Sequence, residues 1–316
     1  MDPRAELGAF LRSRRARLKP EDVGLARSGG RRRVPGLRRE ELAMLAGVSV
    51  AYYTRLEQGH ARNASREVWE AVARVLRLDE TERDHLLRLA RPGPSRRGAP
   101  PRQPRVRQEL VQLLEAMEGV PAYLLGRGMD VLGWNRMASA LLFDFAARSR
   151  RERNMARLVF LEPSSRDLFA EWQGKAREAV GYLRLDAGRW PDDRILSELV
   201  GELSMKSEDF RRLWAEQAVA DKGHGTKRLH HPFVGDLSLA YETFQLPSDP
   251  GLYLITYHAE PGSPSAEALR LLASWGVDDG PTEPRFPKAE SRDGHEDWSS
   301  EQMHCRCVGC VAGHGR

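Results

Sequence analysis

The sequence predicts a multidomain chain: an all-α domain of five helices, then an α+β domain whose antiparallel sheet closes over inserted helices. Three observations carry that expectation. Apolar residues recur at helical spacing as far as residue 90. Residues 91–105, RPGPSRRGAPPRQPR, are almost wholly Pro, Arg and Gly, the composition of a solvated, semi-stiff linker. Beyond 106, strand-like runs stand on both sides of a block of helices. The expected divisions are 1–90, 91–105, 106–277 and a polar tail at 278–316.

Bulk properties narrow the function classes. A chain of 316 residues with 41% hydrophobic and 30% charged residues can bury two proper cores. Apolar runs such as Leu141–Phe143 and Leu252–Ile255 are far too short to span a membrane. The start, MDPRAELGAF, has no secretory apolar core, so a cytoplasmic location is expected. All three cysteines lie in the last dozen residues, which leaves the cores without disulfides, as suits a reducing compartment. The net charge of +5 is unevenly spread: residues 1–105 hold 24 Lys and Arg against 13 Asp and Glu, a net of +11, and the remainder has a net of −6. A basic front end on a mildly acidic body is the layout of a DNA-binding module that carries something else.

The first domain is organised around Arg38–Gly59, RREELAMLAGVSVAYYTRLEQG. Leu42, Ala43 and Leu45 give a first short helix its apolar face, and Gly47 can take the left-handed conformation that ends it. Val48 fills the angle, and Ser49 is a good N-cap for a second helix. Tyr53 and Leu56 turn inward there, leaving Val50, Ala51, Tyr52, Thr54 and Arg55 outward. That is the build of a helix-turn-helix whose second helix enters the major groove of DNA; an ordinary helical hairpin is the bland alternative. A first helix over Glu6–Leu18 packs on the pair through Leu7, Phe10 and Leu11. Lys19–Gly36 reads as a long loop in which Arg31, Arg32 and Arg33 form either a solvated surface or an arm that grips phosphates or reaches into the minor groove. Ser65 caps a fourth helix to about Leu76, and Asp79 with Glu82 starts a fifth through Ala90.

In the second domain a short helix spans Val106–Met117. Pro121–Leu125 and Met129–Trp134 look like strands around Gly126-Arg127-Gly128. Helices are expected at Asn135–Phe145, Asn154–Phe160, Asp167–Leu185, Asp192–Leu203 and Glu208–Gln217. Strands follow near Lys227–Phe233, Asp236–Gln245 and Gly251–Ala259, then a last helix over Ala266–Trp275. The two halves of the sheet meet across the inserted helices.

On EELAMLAGVS, YYTRLEQG and SREVWEAVARVLRLDETERDHLLRLA, the first domain resembles lambda-repressor-like (XRE-type) DNA-binding domains. On PAYLLGRGMDVLGWN, RNMARLVFLEP, DLFAEW, FRRLWAEQAV, HHPFVGDLSLAYE and PGSPSAEALRLLASW, the whole chain resembles MmyB-like transcriptional regulators. The resemblance implies that the second domain is PAS-like and takes a fatty-acid-like ligand. It implies DNA contacts from Arg38, Arg39, Ser49, Val50, Ala51, Tyr52, Thr54 and Arg55. Arg55 faces guanine, with a plain phosphate contact or a structural pair with Glu57 as the alternatives, and Val50, Ala51 and Tyr52 suit a thymine methyl. Arg39 stands where such domains usually carry a Gln that touches the DNA backbone. Ala64 replaces their usual Pro, with no functional consequence. A buried apolar ligand needs an apolar cavity with a few placed polar groups, for which Trp134, Asn135, Phe143, Phe160, Phe210, Trp214, His231 and Tyr241 are the candidates. Such aromatics also serve as plain core, and His231 equally reads as a satisfied structural histidine.

Two other chemistries are weak in the sequence. His304, Cys305, Cys307 and Cys310 could supply a tetrahedral zinc site, but the Cys-x-Cys-x-x-Cys spacing fits no known finger or ribbon. No phosphate-cradling loop, nucleophile elbow or His-Glu-x-x-His motif points to an enzyme. The expected function is therefore a non-enzymatic transcription regulator without a required cofactor. It reads a pseudo-palindromic operator on double-stranded DNA as a homodimer, with no membrane partner, and senses an apolar ligand. A ligand-independent regulator whose second domain dimerises or docks a partner is the first alternative, and an enzyme with a DNA-binding appendage the second.

Overall fold

The computed structural model describes residues 3–25, 36–60, 64–90, 106–220, 223–249 and 251–274. The Arg31–Arg33 run, the 91–105 stretch and the Cys/His cluster lie outside these residues.

Five helices build the first part: α1 (Pro3–Arg17), α2 (Arg39–Leu45), α3 (Val50–Glu57), α4 (Arg66–Val75) and α5 (Glu80–Ala90). Their core gathers Leu7, Phe10 and Leu11 with Leu42, Tyr53, Leu56, Trp69 and Leu86. The α2–α3 corner follows from its residues. Gly47 takes φ +68°, and Val48 N bonds back to Ala43 O at 3.0 Å, which satisfies carbonyls that the ending helix leaves free. Ser49 Oγ then accepts from Tyr52 N at 3.1 Å and starts α3. Ser65 does the same for α4 through Val68 N. A short 3₁₀ turn, Pro20–Val23, occupies part of the stretch expected as loop.

The second part opens with α6 (Gln108–Ala116) and the hairpin β1 (Ala122–Leu125) and β2 (Val131–Trp134). Then come α7 (Arg136–Leu141), α8 (Met155–Leu161), α9 (Ser164–Leu168), α10 (Trp172–Arg189), α11 (Arg194–Lys206) and α12 (Glu208–Ala215). Strands β3 (Gly225–His231), β4 (Gly235–Gln245) and β5 (Tyr253–His258) and the helix α13 (Pro264–Ser274) complete it. The sheet order is β2-β1-β5-β4-β3, antiparallel at every pairing. The β1–β5 pairing joins the two sequence halves of the sheet, as the strand pattern predicts.

Two expected helices change. Asp167–Leu185 is not one helix: α9 ends at Leu168, Phe169 turns extended and bridges to Leu229, and α10 begins at Trp172. Asn135–Phe145 is helical only from Arg136 to Leu141.

Register decides which side chains share a face. Tyr123, Ile255 and Thr243 form one row across β1, β5 and β4, and Tyr257 and Tyr241 the next. Side chains alternate along a strand, so these residues line one face of the sheet. The opposite face, with Leu124 and Leu254, packs with Leu110 and Leu114 of α6.

Candidate nucleic-acid interface and ligand cavity

The reading surface is built around a buried acid. Glu57, at the end of α3, is 1% exposed and accepts from Arg15 Nε at 2.7 Å and Arg39 Nε at 2.6 Å. Burial alone would push its carboxyl up; the hydrogen bonds from Arg15 and Arg39 outweigh that and hold it below its ordinary range. A Cβ on Gly8 would stand 2.2 Å from Glu57 O, so only glycine lets α1 approach the end of α3 so closely. Arg12 Nη1 donates to the same oxygen at 3.3 Å.

This frame presents the outer side of α3. Ser49, Val50, Ala51 and Arg55 are exposed, and Tyr52 and Thr54 half-buried. The Arg55 guanidinium lies 5.8 Å from the Tyr52 ring centre, and Thr54 Oγ1 is tied to Val50 O at 2.8 Å. Arg39 is half exposed while bound to Glu57, so it is an aimed cation rather than a floppy one. Arg38 N-caps α2, its backbone N donating to Glu41 Oε2 at 2.8 Å. All the residues from Arg38 to Arg55 expected to meet DNA therefore sit on α2, the turn and α3.

In the second part, α10 and the inner face of the sheet enclose a cavity of about 20 Å³, lined by Lys175, Glu178 and Tyr182 of α10, Tyr241 and Thr243 of β4, Lys227 of β3, and Tyr123, Leu125, Met129, Met155, Ile255 and Tyr257. That is room for about one water. Glu178 is engaged by Lys227. Lys175 is 6% exposed, and its ammonium makes no hydrogen bond or ion pair among the described residues; it stands 5.4 Å from the Phe169 ring centre. Burial pulls its pKa down to about 8 against the opposing pull of Glu178. The wall thus combines apolar side chains with phenols, the Lys227–Glu178 pair and a second lysine, Lys175, outside that pair.

Residues 106–272 match the family described as the MmyB-like transcription regulator ligand binding domain, and residues 6–86 match a helix-turn-helix domain. The chain belongs to the MmyB-like transcription regulators. No curated protein matches it.

The MmyB-like match makes the second part a ligand-binding domain, and the helix-turn-helix match makes the first a DNA-binding one. Of the eight residues expected to meet a ligand, Tyr241 lines the cavity described above. The other seven do not line it. Asn135 is fully occupied inside the protein: its Oδ1 accepts from Ala122 N at 3.0 Å and Ala138 N at 2.9 Å, and its Nδ2 donates to Met117 O at 2.8 Å and Val120 O at 2.7 Å. His231 Nε2 meets Ala140 O at 2.9 Å. Phe143 is packed among Phe145 and Phe169, Phe160 and Trp214 against Phe210, and Trp134 between Phe145 and the Arg153 guanidinium.

Sequence reading missed Lys175, Glu178 and Tyr182. Positions i, i+3 and i+7 do fall on one helix face, but the strands that complete the lining lie far from α10 in sequence. Among the described residues no group of three or more His, Cys, Asp or Glu could hold a metal, and no helix is long and apolar enough to cross a membrane.

Proposed function

We propose that this MmyB-like regulator reads a pseudo-palindromic operator as a homodimer, through the outer side of α3, and senses a small apolar acid of fatty-acid type in the α10 cavity. The protein works in the cytoplasm and is not an enzyme. The observation that carries the ligand class is Lys175: a buried lysine lining a partly apolar cavity whose one carboxylate, Glu178, is already paired with Lys227. Burying an unpaired charge is costly, and a carboxylate head would compensate it while the acyl tail takes contact with Leu125, Met129, Met155 and Ile255. The two methionines suit such a site, because unbranched thioethers repack at low cost. The cavity is smaller than an acyl chain, so occupancy requires these side chains to move apart.

The test is binding of dodecanoate to the purified full chain, followed by isothermal titration, with Lys175→Met beside the parent. The reading expects binding to the parent and at least a tenfold weaker constant for Lys175→Met. Equal affinities, or no binding to either, would refute the acid-sensing assignment.

A further inference from the structure

One helix touches both the cavity and the reading domain. Lys175, Glu178 and Tyr182 line the cavity from α10, and Arg184, two residues beyond Tyr182, points about 200° away around the helix at 3.6 residues per turn. On that far side Arg184 is 0% exposed. Its Nη1 pairs with Glu6 of α1 and donates to Gln217 Oε1 at 2.7 Å. Its Nη2 donates to Trp214 O, and its guanidinium stacks 4.0 Å from the Trp214 ring centre. Arg14 of α1 answers from the other side, donating to Gln217 O at 2.7 Å while paired with Glu82 of α5 at 2.9 Å. Val219 packs against the core of the reading domain. One turn beyond Arg184, Gly188 lies so close to α5 that a Cβ would sit 2.8 Å from His85 Cε1.

We propose that α10 is a lever between the cavity and the reading domain, and that the latch by which it holds that domain consists of Glu6, Arg184 and Gln217 at α1 and the close contact of Gly188 with His85 at α5. The lever rests on the ligand reading above; the latch does not. Twelve of the eighteen residues of α10 are buried, and a close-packed helix passes a push on one face to the other rather than absorbing it. Charges fill the latch, and Glu6 and Arg184 are both rehydrated when it opens. Release therefore costs far less than parting an apolar interface of the same size. The latch engages α1 and α5 and leaves the outer side of α3 free, so it sets the aim of the reading helix without covering it. In a two-fold dimer that aim fixes which half-site spacing can be met.

Hydrogen exchange on the full chain tests both parts, with Gly188→Leu and Glu6→Gln beside the parent. Leucine at 188 favours the helix over glycine, so α10 stays intact while the contact with α5 is wedged. Gly188→Leu should speed exchange of α1 and α5 amides about tenfold, and Glu6→Gln by a smaller factor. Dodecanoate should slow exchange in β1 and β5 of all three proteins, yet alter α1 and α5 only in the parent. Unchanged α1 and α5 exchange in Gly188→Leu would overturn the latch. A variant whose α1 and α5 still answer dodecanoate would overturn the lever. If dodecanoate leaves β1 and β5 of the parent unaffected, the ligand reading fails and the lever with it, while the latch stands or falls on the first comparison.

Discussion

Glu57 holds Arg39 by a 2.6 Å bond from Nε to Oε2, so a buried carboxylate at the end of the reading helix orients a cation at the start of the helix before it. Arg15 occupies its other oxygen at 2.7 Å. The two substitutions around this pair separate folding from reading. Glu57→Ala leaves Arg15 and Arg39 without their anion, one of them largely buried, and should destabilise the first domain by ~3 kcal/mol or more in chemical denaturation. Arg39→Ala removes a half-exposed partner, costs roughly 1 kcal/mol or less in stability, weakens all duplexes alike and lowers the salt slope of binding by about 1.

Lys175 gives the ligand affinity a pH dependence of known sign. Its pKa is pulled down to about 8 by burial, so the ammonium that would meet a carboxylate is present below that pH and lost above it. Dodecanoate affinity should be flat from pH 6 to 7.5 and fall as pH rises beyond 8, with uptake of a proton on binding when measured in buffers of different ionisation enthalpy. Lys175→Met should abolish both effects. An affinity that holds level to pH 9.5 would place the acid head elsewhere.

His85 should make the fold acid-sensitive. Among the described residues neither ring nitrogen has a hydrogen-bond partner, and burial, with Arg184, Arg88, Arg14 and Arg189 around it, lowers its pKa to about 3. An unfolded chain protonates this histidine near pH 6.5, so between 6.5 and 3 the unfolded state binds the extra proton. Stability contributed by the neutral ring is complete above 6.5 and drains as pH falls, by at most ~1.4 kcal/mol per pH unit. Urea titrations at pH 4.5 and 7 should show a smaller difference for His85→Leu than for the parent.

Asn135 separates a structural role from ligand contact. Its amide closes the backbone of β1 and the segment after α6 onto the start of α7 with four hydrogen bonds. Asn135→Ala should lower stability by ~2 kcal/mol or more, since buried backbone groups lose their partners. Dodecanoate affinity of the folded fraction should stay within twofold of the parent.

The reading domain was legible because its signals are local: apolar spacing, Gly47 where the chain must turn left-handed, Ser49 and Ser65 as caps. Short apolar and aromatic runs bounded by turn residues likewise disclosed the strands of the sheet. The break between α9 and α10 was not legible, because Phe169-Ala170-Glu171 contains no Gly or Pro; the extended conformation at Phe169 comes from pairing with Leu229, sixty residues away. The cavity was hidden for a related reason. Its lining is assembled from elements far apart in sequence, and a lysine on a helix reads as surface until the sheet that buries it is in place. Large aromatics drew attention instead, and Phe143, Phe160 and Phe210 fill the core as their size demands. Arg184 and Glu6 gave no sign at all, being 178 residues apart.

Selection of duplexes from a randomised pool by the full chain, at low and moderate salt, addresses the regulator assignment most directly, with Arg55→Ala as its comparison. The parent should enrich a two-fold symmetric motif. Arg55→Ala should show relaxed preference at one symmetric pair of positions, a loss of ~1–3 kcal/mol of discrimination there. No enriched motif at either salt, or the same motif held with equal stringency by Arg55→Ala, would contradict that assignment.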